Sequence, residues 1–383
     1  MSSTLQPTAP VRVGIVGAGQ LARMMGSAAH EANVEVTVLA SSPDDCAIAT
    51  SDHSVIGAPT DARALHRLSR LVDVITFDHE LVDLEQIGQL ESLGVTVRPS
   101  ARALSYSVDK AHQRREFRRA GIAVPDFVIT RSGSDRELDE FLDRTENVVV
   151  KSARGGYDGR GVIFPATRAD AIEAVESFAR GEVVVEERLE LLCELSQIVV
   201  RAVDAQCVTY PLVRTVQSEG MCVEVTFPAL VDSRVERQAQ SLARSIAELT
   251  GAVGVVAVEL FLTTQGLVVN EIALRPHNSG HWTIEGAVTS QFANHLLAVS
   301  GARLSSADAC VEAAAMVNVV GADREGSLVA AMDVAGAHVH DYGKSWRRGR
   351  KLGHVTAVGD DLASAHVRAW ESARAYGTKT REA

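Results

Sequence analysis

Residues 270–283 read NEIALRPHNSGHWT. A carboxylate (Glu271), two amides (Asn270, Asn278), a guanidinium (Arg275) and two imidazoles (His277, His281) share these fourteen positions. They begin where the apolar run Leu267-Val268-Val269 ends, so a strand would aim them, and Pro276 and Gly280 shape the loop that follows. Polar groups crowded at the end of a rigid element suggest a phosphate or metal site more than a surface loop. The competing reading is an ordinary polar turn.

The apolar run belongs to a hairpin. Residues 253–262 and 266–272 read as two strands joined across Thr263-Thr264-Gln265-Gly266. Counted outward from the turn, Glu259 and Glu271 fall nearly opposite each other. Opposed residues of an antiparallel pair share a face, with Cβ atoms ~5 Å apart. Two carboxylates that close repel unless a cation lies between them, and oxygen ligands beside phosphates suit Mg²⁺. One exposed and one paired glutamate is the alternative.

Upstream, residues 148–164 read VVVKSARGGYDGRGVIF, a strand, a glycine loop and a strand. Four glycines in GGYDGRG (155–161) can expose backbone N–H groups to phosphate oxygens. Lys151 ends the first strand and can reach the same anion, while Tyr157, Asp158 and Arg160 add donors, an acceptor and a cation. A flexible hairpin tip is the plainer reading. A helix over 167–179, N-capped by Thr167, and a strand over 183–185 complete a small α+β unit. Before it, DKAHQRREFRRA (109–120) is a basic helix, and most of its arginines read as a solvated charged face.

The chain opens with the strand 11–16, the turn Gly17-Ala18-Gly19-Gln20-Leu21-Ala22, a helix to about 32 and a strand over 34–39; 72–77 and 95–97 read as further strands. Strands alternating with helices predict a Rossmann-like parallel sheet with helices on both faces, ending near Pro99-Ser100. The glycine turn suits an anion at a helix N-terminus. A nicotinamide site would also want an acid closing the second strand; the chain has Ala40-Ser41-Ser42-Pro43 there. A different ligand, or a purely structural turn, is favoured.

Residues 197–203, 207–213 and 221–227 read as antiparallel strands and 232–249 as a helix. Beyond 300 come a strand (315–320), a helix (328–333) and a frayed end. Lys344, Arg347, Arg348, Arg350 and Lys351 crowd a turn beside Gly343, Gly349 and Gly353. Such a turn is usually a solvated loop; it becomes a phosphate clamp only if it faces the site.

A net charge of −11 argues against general nucleic-acid binding. No apolar run reaches bilayer length, and MSSTLQPTAP has neither the basic start nor the apolar core of a signal peptide. Cys46, Cys193, Cys207, Cys222 and Cys310 are scattered, without CxxC, as expected of reduced thiols in a cytoplasm.

Lys151 with GGYDGRG, Glu259, Asn270-Glu271 and the order of elements resemble the ATP-grasp superfamily. Within it, GAGQLARM (17–24), GGYDGRG, PHNSGHWT (276–283) and GRKLGH (349–354) are similar to the 5-(carboxyamino)imidazole ribonucleotide synthase family, over about 11–358. The chain departs from the family at Ala22 (usually Gly), Leu274 (Pro), Arg348 (Pro) and Lys110 (often Arg), the last keeping charge without the bidentate fork. The resemblance implies an ATP-grasp fold: an N-terminal Rossmann-like domain (1–100), an ATP-grasp domain (101–300) with a small α+β lid (about 125–188) and a large antiparallel sheet, and a C-terminal extension (301–383).

It also implies roles. ATP would lie between lid and large sheet, with Lys110 and Lys151 on its phosphates under the loop Gly156, Tyr157, Asp158, Gly159, Arg160 and Gly161. Glu186, Glu187, Arg188 and Leu189 would hold the adenine and Glu194 the ribose, with Arg214 a further nucleotide-site residue. Glu259 and Glu271, helped by Asn270, would hold Mg²⁺. Arg275, His277 and Asn278 would line the reacting centre with Lys151. Lys344 and Arg350 would bind the phosphate of 5-aminoimidazole ribonucleotide, and Asp158 is a candidate partner for its imidazole. The implied reaction is ATP-dependent carboxylation by bicarbonate in a cytoplasmic homodimer of purine biosynthesis. The alternative within the superfamily is the formate-using phosphoribosylglycinamide formyltransferase, which shares the nucleotide site; PHNSGHWT and GRKLGH favour the carboxylating enzyme.

Overall fold

The structure is a computed structural model that describes residues 9–156, 161–178, 181–218, 220–322 and 325–378. Three sheets carry the chain. The first is parallel, in the order His53–Ile56, Val34–Ala40, Val11–Val16, Val74–Phe77. Val13, Ile15, Val36 and Val38 are fully buried, the continuous apolar pattern of strands covered on both faces. Sequence reading found three of these strands. It missed His53–Ile56, a four-residue edge with one buried side chain, and 95–97 contributes only a bridge, Ile75 to Val97.

The second sheet is small and antiparallel: Phe127–Thr130, Val183–Glu187, Val148–Ser152, Val162–Ile163. The helix Arg168–Ser177 packs on it, started by a capping box in which Thr167 and Asp170 satisfy each other's backbone N–H groups.

The third sheet has nine strands. Its main path runs Gly266–Ala273, Gly254–Thr263, Cys193–Arg201, Val213–Ser218, Met221–Phe227, Ala313–Val320, Lys351–Gly359, Ala337–Asp341, with Cys207–Thr209 paired to Cys193–Arg201. The strands beyond 300 therefore extend the large sheet. The expected strand over 207–213 is instead two, interrupted where Pro211 cannot donate to a ladder. Nor does secondary structure stop at the basic turn. Lys351–Gly359 is a central strand, and Leu362–Tyr376 is a helix burying Ala365, Ala369, Trp370, Ala373 and Tyr376, capped by Asp361 and by Gly377 in the left-handed region.

Two features aim the site. The long helix Ser233–Thr250, N-capped by Asp232, covers one face of the large sheet. The helix Gln291–Ser300 packs Phe292, Leu296 and Val299 into the core of the parallel sheet. Its His295 is buried, bonded to Thr76 Oγ1 at 2.8 Å, and accepts the Val255 N–H on Nδ1 at 3.1 Å. Burial pushes this imidazole down to about 3, so it is neutral, with its proton on Nε2. One side chain thus ties the parallel sheet to the large one.

Candidate active site

The hairpin count holds: Glu259 pairs with Glu271, and Thr263 with Gly266. A bulge follows Glu259, and Glu259 also faces Ser196 on the neighbouring strand. Asn270 Nδ2 donates to Glu259 Oε2 at 3.4 Å. Lys110 Nζ donates to Glu271 Oε2 at 2.9 Å. Burial first, then the nearby Glu271 and Glu194, push the Glu259 carboxyl up to about 7. Burial pushes Glu271 up too, but the Lys110 charge and hydrogen bond outweigh it and hold Glu271 below the usual value. Of the two, Glu259 therefore holds a proton the more readily. Two facing carboxylates beside an amide oxygen offer an all-oxygen donor set, which suits a hard divalent cation.

Behind the carboxylates lies a second network. Lys151 Nζ meets Glu186 Oε2 at 2.7 Å and donates to Asn270 Oδ1 at 3.2 Å. Arg114 Nε donates to the other Glu186 oxygen at 2.5 Å, and its terminal nitrogens to Gln113 Oε1 and the Asn270 carbonyl, both at 2.6 Å. Arg114 is 1% exposed and Glu186 2%. Arg114 thus corrects the solvated reading of its helix: the anion that buries it lies 72 residues away. Arg115, Arg118 and Arg119 are exposed, as expected. Burial pushes the Lys151 ammonium down, opposed by Glu186. The Glu186 side chain is committed to these cations, while Glu187 and Arg188 are exposed and Leu189 is half-buried.

The loop after the hairpin meets the parallel sheet. Arg275 donates to Glu80 Oε2 through Nε at 2.9 Å and its second nitrogen lies at 2.8 Å. His277 Nδ1 is bonded to Ser279 Oγ at 2.8 Å, and its Nε2 lies 3.4 Å from Glu259 Oε1. Asn278 Nδ2 and Glu80 Oε1 are buried without a hydrogen-bond partner among the described residues. Leu274 is buried in the core under the long helix, so packing fixes the strand exit.

The glycine turn is occupied by its own protein. Asp78 Oδ2 accepts the Gly19 N–H at 2.7 Å. Gly17 has φ +107°, and a Cβ there would sit 1.8 Å from Asp78 Oδ1. A carboxylate on the N–H that a pyrophosphate would need argues, with the missing ribose acid, against a dinucleotide. Gln20 Oε1 of the turn accepts from Lys344 Nζ at 2.6 Å. The basic turn therefore does face inward at Lys344, which burial makes less basic. Arg350 is half-buried and donates to the Ser345 carbonyl and hydroxyl. Glu80, Asp78 and Gln20 were not among the expected site residues. Their signal was position: Gln20 follows, and Asp78 and Glu80 close, strands of a parallel sheet at their carboxyl ends, where such sheets bind ligands.

Some expected residues do not join. Arg214 pairs with Leu195 and Thr226, whereas Thr215 pairs with Glu194. Arg214 thus lies on the opposite face of the sheet from Glu194, Ser196 and Glu259 and is exposed. Glu194 is half-buried on the site face, where burial pushes its carboxyl up. Gly156 and Gly161 flank the glycine loop; Tyr157, Asp158, Gly159 and Arg160 lie outside the described residues.

Comparison with known proteins matches this architecture. Family models described as a ribonucleotide synthetase preATP-grasp domain, an ATP-grasp domain and a phosphoribosylaminoimidazole carboxylase C-terminal domain match residues 11–107, 115–292 and 314–368. Fold and site define an ATP-grasp carbon–nitrogen ligase. N5-carboxyaminoimidazole ribonucleotide synthase of Mycobacterium tuberculosis is 45% identical over 371 residues, 93% of this chain and 86% of the relative. The solved Thermus thermophilus synthetase is 32% identical with a TM-score of 0.88, covering 97% of this chain and all of that one. The Aspergillus clavatus enzyme, solved with ADP and 5-aminoimidazole ribonucleotide, is 29% identical, also at 0.88, covering 96% and 99%. The chain belongs to the N5-carboxyaminoimidazole ribonucleotide synthase family.

Proposed function

We propose that the chain carboxylates the amino group of 5-aminoimidazole ribonucleotide with bicarbonate, at the expense of ATP, in purine biosynthesis. The observation that carries this reading is the joining of two clusters: Lys110, Lys151, Glu259, Asn270 and Glu271 suit a nucleotide and its cation, and Asn270 and Glu271 share one strand and the loop after it with Arg275 and His277. The formate-dependent alternative has no comparable support, because the matched relatives are carboxylating enzymes.

Lys110 and Lys151 bind the phosphates; Glu259, Glu271 and Asn270 would hold Mg²⁺, which would supply charge neutralisation for phosphate oxygens. A bicarbonate oxygen attacks the γ-phosphorus; ADP leaves and carboxyphosphate forms. Lys151 neutralises charge that builds on the transferred group. The glycine loop, 155–161, shields the intermediate from water. The ribonucleotide amine then forms the C–N bond and inorganic phosphate leaves, with His277 as our candidate for the amine proton. Arg275, fixed by Glu80, and Asn278 orient the reacting groups. Lys344, held on Gln20, and Arg350 bind the ribonucleotide phosphate. Asp158 is proposed for the imidazole, and Glu194 with the strand end 186–189 for the nucleoside. Arg214, on the other face, has no part in this account.

The reading includes a cytoplasmic homodimer. The free cysteines fit a reducing compartment, and among the described residues no helix is long and apolar enough to cross a membrane. The direct experiment is ADP release with the ribonucleotide and bicarbonate omitted in turn. Full turnover without the ribonucleotide, or support by formate with glycinamide ribonucleotide, would refute the assignment.

A further inference from the structure

Three imidazoles lie in contact between the reacting-centre loop and the C-terminal strands. His281 follows the loop and is 1% exposed; His354, on Lys351–Gly359, is fully buried. Their ring centroids are 4.7 Å apart. The ring of His340, the cross-strand partner of His354, lies 4.4 Å from that of His354 and within 10° of parallel. The column is held at both ends: His281 packs on Phe292 with centroids 5.7 Å apart, and His340 Nε2 meets Glu285 Oε1 at 2.5 Å. Glu285 lies on the short helix Thr283–Gly286 that ends the loop.

The column carries unpaired polarity. His281 Nδ1 and His354 Nε2 are buried with no hydrogen-bond partner among the described residues. Burial holds both rings well below the ordinary imidazole value, so both are neutral. A phenylalanine would fill the same space without orphan nitrogens, so packing alone does not account for imidazole at 354. The nitrogen that is used points to a reason. His354 Nδ1 is bonded to the Tyr342 hydroxyl at 2.9 Å. Tyr342 is buried in the core of the parallel sheet, and its ring centroid lies 5.4 Å from Lys344 Nζ. The line of contacts runs His281, His354, Tyr342, Lys344, Gln20, from the reacting-centre loop to the glycine turn.

We propose that His354, with His281 and Tyr342, is a positioning element that fixes the distance between the reacting-centre loop and Lys344, so that one ribonucleotide reaches both with its amine and its phosphate. The proposal rests on the function proposed above. It assigns no contact with substrate to these three residues. It explains why a buried hydroxyl and a buried imidazole are paired at the base of the basic turn, and why the imidazole column ends on Glu285 beside the loop.

The test compares His354→Phe, His354→Asn and Tyr342→Phe with the wild type. The readouts are KM for 5-aminoimidazole ribonucleotide, KM for ATP, and ADP formed per ribonucleotide carboxylated. His354→Phe and Tyr342→Phe each remove the same hydrogen bond, so each should raise the ribonucleotide KM by roughly 10-fold, the net worth of one such bond. The KM for ATP should stay within about twofold, and excess ADP should appear as carboxyphosphate is lost to water. The double variant should be no worse than either single one. His354→Asn keeps a nitrogen or oxygen near Nδ1 and should restore coupling. Equal changes in both KM values, or no uncoupling in Tyr342→Phe, would overturn the proposal. Tyr342→Phe removes one oxygen and decides the matter even if His354→Phe does not fold. Absence of carboxylation in the wild type would instead overturn the function on which it rests.

Discussion

Replacing Glu186 by glutamine probes the buried charge network behind the nucleotide site. Burial by itself pushes the Glu186 carboxyl up, but Arg114, Lys151 and their hydrogen bonds bring it from 4.5 down to about 2. At about 1.4 kcal/mol per pKa unit, that shift is worth about 3 kcal/mol. The group is 2% exposed, so solvent screening does not reduce the figure. The folded value lies below the unfolded one, so this stability is present above pH 4.5 and is lost as pH falls toward 2. Glutamine abolishes it at neutral pH and leaves two buried cations. Apart from residue 186, and among the described residues, Arg114 keeps two acceptors at 2.6 Å, whereas Lys151 keeps Asn270 Oδ1 at 3.2 Å. Lys151 therefore takes most of the loss.

Breaking one partner out of a buried pair costs about 3–5 kcal/mol, in agreement with the titration argument. The assay is amide exchange by mass spectrometry on Val148–Ser152 and Val183–Glu187, which reads local opening in a chain too large for a single unfolding step. Glu186→Gln should speed exchange there by on the order of 10²-fold at pH 7. Lys151, already held below 10.5, is then pushed lower still. Its folded form binds its proton less readily than the unfolded chain, so the variant should regain protection with rising pH more steeply than the wild type. Adding Lys151→Met should recover much of the loss, since an uncharged neighbour removes the uncompensated cation. Exchange within about threefold of wild type at pH 7 would refute the argument.

Three further outcomes follow from the proposed roles. Glu271→Gln should leave the fold intact and reduce ADP formation by on the order of 10²-fold; near wild-type turnover at saturating Mg²⁺ would remove it from the metal site. Lys151→Ala should weaken ATP binding and kcat together, and survival of both would leave Lys151 a structural strand end. Arg350→Ala should raise the ribonucleotide KM by roughly 10-fold with KM for ATP unchanged, combining less than additively with Lys344→Ala; an equal rise in both KM values would exclude these residues from the substrate site.

What could be read from the sequence was local. The Glu259–Glu271 pairing follows from one turn, because a hairpin fixes its own register. Thr167, Asp109 and Asp232 start the helices expected of them because a cap depends on the next three residues only. The C-terminal helix was legible in principle, with Asp361 and Gly377 at its ends, but half of its buried residues are alanine, which gives little apolar contrast. Arg214 shows the limit. Its own strand says that it faces away from Thr215, and only the neighbouring strand, through Leu195 and Glu194, says which of the two faces the site.

Partnerships across the chain were not legible, and they hold the site together. Arg275 rests on Glu80, Lys344 on Gln20, Lys110 on Glu271 and Lys151 on Asn270 and Glu186. Each joins a cation to an acceptor from another sheet or another strand, at separations from 35 residues for Lys151 and Glu186 to 324 for Lys344 and Gln20. Residue types disclosed the chemistry of each group, but not which group would hold it. This division has a consequence for substitutions. A change at Glu80 or Gln20 should act through the cation it holds, displacing Arg275 or Lys344 rather than removing a charge from the substrate. Its effect should therefore largely vanish when the corresponding cation is already absent, which is the signature that separates a holding residue from a binding one.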